Sequence, residues 1–72
     1  MSLAEEVIAE AAPYLQDLEW AKTVIFRLAS QFSEPSRLAE ALASKCMEES
    51  DPVRRTDLRI LLNYLRRLTL RG

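Results

Sequence analysis

The last twenty-two residues, Asp51 to Gly72, run DPVRRTDLRILLNYLRRLTLRG. Asp51 followed by Pro52 predicts a helix start. The carboxylate can accept from an orphan amide of the first turn, and proline at the first helical position has no amide to leave unsatisfied. Leu58, Leu61, Leu62, Leu65 and Leu68 then follow the i, i+3, i+4, i+7 rule, which places them on one face. Val53, Ile60 and Tyr64 widen that face sideways. At about 100° per residue the apolar arc spans roughly 200°. A surface helix on a single core needs about half as much, so this helix should be covered on more than one side.

The polar remainder of the stretch is nearly all of one sign. Arg55, Arg59 and Arg66 fall in a narrow strip with Asn63 and Arg67 beside it, and no carboxylate shares that strip. Asp51 and Asp57 belong to the first turns, where the helix dipole favours negative charge. Such a strip is either a solvated face whose stems cover neighbouring leucines or a docking site for phosphates or an acidic protein surface.

Seventy-two residues make a single helical domain, expected to span 1–72. A chain of this size buries about 60% of its unfolded surface, and small domains often need a disulfide, a metal or self-association in addition. Cys46 is the only cysteine and there is no histidine, so neither an intrachain disulfide nor a common zinc arrangement can form. Helix packing or oligomerisation is left. Net charge is −1, unevenly placed. Residues 1–50 hold nine acids and four bases, a net of −5, and residues 51–72 hold two acids and six bases, a net of +4. An overall basic coat, as in many nucleic-acid binders, is excluded. No apolar run approaches a membrane span. No secretory signal is visible and the cysteine is unpaired, which together predict a cytoplasmic protein.

Upstream, composition and spacing predict only helices. Nothing alternates with period two, and no Asn-Gly or Asp-Gly hairpin turn occurs. Ser2-Leu3-Ala4-Glu5 reads as a capping box that opens a short helix reaching Ala12, with Leu3, Val7, Ile8 and Ala11 as its stripe. Pro13 interrupts it. A second helix is predicted from about Pro13 to Phe32, with Tyr14, Leu15, Leu18, Ala21, Ile25, Leu28, Ala29 and Phe32 on a broad apolar face. Trp20 and Val24 project from nearly the opposite side, either packed under a bend of the first helix or anchoring a protein–protein contact. The third helix is predicted from about Pro35 to Glu48. Its thin apolar line of Leu38, Leu42 and Cys46, padded by Ala39, Ala41 and Ala43, makes it the least stable of the set. The short turn before Asp51 makes the third and fourth helices neighbours.

Chemistry-bearing constellations are absent. Without histidine there is no common general base or nucleophile activator. Cys46 beside Glu48 and Glu49 has no feature that lowers a thiol pKa and reads as a small buried hydrophobe. Glu5, Glu6 and Glu10, like Glu48, Glu49 and Asp51, read as solvated carboxylates and not as metal ligands. No glycine loop exists to cradle phosphate. The expected protein is therefore an all-α bundle of three long helices and a short N-terminal one, without catalytic residues, metal or cofactor.

Its expected work is protein binding, as a homodimer or paired with another helical chain. Trp20, Val24, Ile60 and Tyr64 are the candidate interface, rimmed by Arg55, Arg59, Arg66 and Arg67. One alternative is a nucleic-acid-binding regulator, with Ser36–Ser44 and Arg54–Arg67 as a helix-turn-helix. Against it, the intervening stretch is long for such a turn. A chaperone-like cap for a helical client is the other alternative.

Overall fold

A computed structural model describes residues 2–71, and the side chains of residues 2–70, so Met1 and Gly72 of the expected domain lie outside the described residues. Four α-helices are present: α1 (Leu3–Ala11), α2 (Leu18–Gln31), α3 (Pro35–Glu48) and α4 (Pro52–Arg71), with one 3-10 turn at Ala12–Tyr14. Among the described residues there is no strand. At about 1.5 Å per residue, the 20 residues of α4 extend about 30 Å, and the molecule measures 31 × 23 × 19 Å. The last helix thus runs the full length of the protein.

Each helix begins where local chemistry allows it. Ser2 caps α1: its Oγ accepts from the Glu5 N–H at 3.2 Å, and the Ser2 N–H donates to Glu5 Oε1 at 3.0 Å. This reciprocal pair holds the Glu5 carboxyl below its ordinary value, chiefly because the Ser2 backbone N–H favours the charged form. Pro35 opens α3 at a position where a missing amide costs nothing. Asp51 opens α4, accepting from the Val53 N–H at 3.0 Å.

Helix α2 starts later than the sequence suggests. Pro13 lies in the 3-10 turn, Leu15 is extended, and helical geometry resumes only at Leu18. Asp17 caps the new helix through its Oδ1, which accepts from the Trp20 N–H at 3.1 Å. Tyr14 and Leu15 therefore do not belong to the apolar face of α2, and Tyr14 is exposed. Phe32 terminates the helix in extended geometry instead of continuing it.

The core draws on all four helices: Ala4, Val7 and Ala11 of α1, Ala21, Ile25 and Leu28 of α2, Leu38 and Leu42 of α3, and Leu58, Leu61, Leu62 and Leu65 of α4. Helix α4 packs against α3 most extensively, then α1, and also touches α2. Its wide apolar arc is covered by three helices of its own chain. Arc width alone therefore does not call for a second protomer. The exposed surface of 4707 Å² agrees with the roughly 4,600 Å² of a compact monomer of 8.3 kDa. The radius of gyration, 10.8 Å, likewise matches the ~11 Å expected for this length.

Asp57 departs most from expectation. It is not a dipole-facing surface acid but a fully buried one. Its carboxylate accepts from the Gln16 N–H at 2.9 Å and the Asp17 N–H at 2.8 Å, one oxygen for each. These amides lie in the non-helical link before α2, where no helical carbonyl is available to them. A carboxylate on α4 thus supplies the partners that the link lacks and pins it to the central helix. Cys46 also differs from expectation: it is only half-buried, and its thiol donates to the Arg55 carbonyl at 3.7 Å.

Candidate functional site

Burial of Asp57 changes the charge on the outside of α4. Between Thr56 and Leu70 the exposed side chains are Thr56, Arg59, Asn63, Arg66, Arg67, Thr69 and Leu70, without one carboxylate. Arg55 continues the same face toward the helix start. The fold therefore presents an uninterrupted cationic strip while the acids of residues 5–49 lie on the other helices and the links beside them.

The arginines of α4 are not equivalent. Arg54 stands over the Trp20 ring, 5.0 Å from its centroid, and pairs with Asp51 at 3.9 Å. Arg55 donates through Nε and Nη2 to the Glu49 carbonyl at 3.1 and 3.0 Å, satisfying an acceptor just past the end of α3. Arg67 stands over the Tyr64 ring at 5.1 Å. Arg59 and Arg66 differ from these. Among the described residues, neither has a carboxylate within ion-pairing distance. They are seven residues apart, two turns or about 10 Å along one side of the helix.

The apolar candidates Trp20, Val24, Ile60 and Tyr64 are all half-buried and packed against the core. The Tyr64 ring also stacks on Tyr14, with centroids 6.0 Å apart and planes 16° from parallel. Trp20 and Tyr64 thus each have a guanidinium of the same chain over the ring, an arrangement favoured by the ring quadrupole.

Two open apolar grooves lie at the pole where α3 begins. One, about 310 Å³, runs between the start of α3 and the end of α4 and is lined by Pro35, Ser36, Ala39, Arg66, Thr69 and Leu70. The other, about 320 Å³, lies among the start of α1, the end of α2 and α3, with Leu3, Phe26, Phe32 and Leu38 in its lining. Leu70 is 87% exposed, a large apolar side chain at the edge of the first groove. The sequence offered weak signals for both the groove and the latch that Asp57 forms with the Gln16 and Asp17 amides. Small residues at Ser36 and Ala39 leave room beside α4, and Asp57 lies four residues before Leu61, on the leucine stripe itself.

Among the described residues no three potential ligands gather into a metal site. No described helix is long and apolar enough to cross a membrane. Cys46 faces a backbone carbonyl and not a base. The fold and surface define a small all-α bundle with one cationic helix face. Compared with known proteins, the chain matches no family model, no curated protein and no solved structure.

Proposed function

We propose that this protein is a non-enzymatic interaction module that pairs with another helical chain through the outer face of α4. The observation that carries the reading is the pair Arg59 and Arg66. Both are exposed, and both lack an ion-pair partner among the described residues. Arg54, Arg55 and Arg67, by contrast, are each engaged within the chain. A strip of one sign steers a partner of the opposite sign and fixes its register. A protein partner is favoured over nucleic acid on two grounds. The net charge is −1, and the strip borders an apolar groove with an exposed leucine, which phosphates do not reward. A second copy is a weaker fit, because a two-fold contact on this face would set arginine against arginine. A reducing, cytoplasmic setting belongs to the same proposal and rests on the unpaired thiol of Cys46.

The test is site-specific photo-crosslinking in cells that express the protein, with the crosslinker at Asn63 on the cationic face or at Ser44 on the exposed side of α3. A protein adduct at position 63, weak at position 44 and lost when Arg59 and Arg66 become glutamine, is the expected result. A nucleic-acid adduct, or equal adducts at both positions, overturns the reading. An adduct of twice the chain mass would make the partner a second copy.

A further inference from the structure

We infer that the groove between the start of α3 and the end of α4 seats one large apolar side chain of an acidic amphipathic helix, whose carboxylates pair with Arg59 and Arg66. This deepens the reading above and rests on it. Three features of the site converge. It is an open groove with apolar walls, Pro35 and Ala39 on one side and Leu70 on the other, and its volume of about 310 Å³ has room for a leucine- or phenylalanine-sized group. Arg66 lines the same groove, so apolar and cationic contacts are offered together. Arg59 continues the charge two turns nearer the start of α4.

Charge complementarity identifies the occupant. The described part of α4 has no exposed carboxylate, and Arg59 and Arg66 meet none on neighbouring helices. A basic or neutral helix would leave both guanidiniums opposed or idle. An acidic helix presenting carboxylates about two turns apart satisfies both. Its apolar face meanwhile covers Leu70, which water otherwise surrounds. This is the helix-in-groove mode of recognition, with an anchor in a pocket and charges on the rim.

Fluorescence anisotropy with defined probes tests the inference. The first probe is a labelled 21-residue helical peptide with leucine at heptad positions a and d and glutamate at e and g. The second has lysine in place of glutamate, and the third is a labelled 21-base DNA, single-stranded or duplex. The acidic peptide should bind and the lysine peptide should not. Arg59→Gln with Arg66→Gln should weaken binding roughly fivefold to tenfold, the scale of two partly exposed charge pairs. Leu70→Ser, at a site too exposed to disturb the fold, should weaken it comparably without changing its salt dependence.

Binding that ignores Leu70→Ser but falls with the arginine pair overturns the groove assignment and leaves the cationic face as the docking surface. No binding of the acidic peptide below about 100 μM, with circular dichroism showing an intact fold, overturns the inference about the partner's chemistry. The crosslink at position 63 then decides the broader reading by itself. Tighter binding to the DNA, falling steeply with added salt, overturns both in favour of a phosphate ligand.

Discussion

Replacing Asp57 by alanine removes a buried carboxylate that holds two backbone amides at 2.9 and 2.8 Å. A hydrogen bond to a charged group contributes about 1.5–3 kcal/mol, and a buried donor left without a partner costs a similar amount. The two amides are only part-buried, so water recovers some of the loss. The lower end of the range, about 3 kcal/mol for the pair, is the appropriate figure. A domain of this length has roughly 4–11 kcal/mol of total stability. Asp57→Ala should therefore lose about a quarter of it or more, and melt about 12–24 °C lower.

The assay is urea unfolding followed by circular dichroism at 222 nm, alongside amide exchange resolved by residue. Asp57→Asn sharpens the test. Its side-chain oxygen can still accept one amide, but its NH2 group then faces the other, donor against donor, so the loss should approach that of alanine. Protection of the Gln16 and Asp17 amides should fall in both variants. A loss below about 1 kcal/mol for Asp57→Ala, with those amides still protected, would show that the latch does not hold the link.

Other outcomes follow from the same structure. Leu61→Ala, at a fully buried position of α4, should cost about 2–5 kcal/mol and leave the chain marginal or unfolded at 37 °C, read by thermal melts. Glu5 has its folded pKa depressed by the Ser2 N–H. Its contribution to α1 is therefore present above the ordinary carboxylate range and lost as pH falls through the lowered value. Carboxyl NMR titration should find Glu5 low in the native chain and only partly returned toward its ordinary value in Ser2→Gly, which loses the Oγ contact but keeps the backbone N–H. Arg55→Gln should destabilise the turn between α3 and α4, because its guanidinium grips the Glu49 carbonyl. Arg59→Gln should stay within about 0.5 kcal/mol of the parent in urea melts. Binding experiments should for that reason use Arg59 and Arg66 and leave Arg55 alone.

Much of the architecture was legible before any tertiary contact was known. Three helices follow from local rules that need no long-range information: α1 from the capping box at Ser2 and Glu5, α3 from Pro35, and α4 from Pro52 and the leucine period of residues 58–68. The boundary that misled was Pro13. It can open a helix, and the helical apolar pattern continues through Tyr14 and Leu15. The chain instead makes a 3-10 turn and an extended link, and starts α2 at the Asp17 cap. The start lay between Pro13 and Asp17. The choice depended on a side chain forty residues away.

By itself the sequence determined the helix count, the apolar stripe of α4 and the one-signed charge of residues 51–72, because each is a local pattern on a helix of fixed period. Tertiary structure alone decided which of those charges remain outward and unpaired. Burial of Asp57 stripped α4 of its last exposed acid beyond the first turn. Contacts with Trp20, Tyr64 and the Glu49 carbonyl occupied three arginines and left Arg59 and Arg66 unpaired, with Arg66 lining an apolar groove. Whether a charge is satisfied depends on what packs within a few ångströms of it, and that is set by residues far away in the chain.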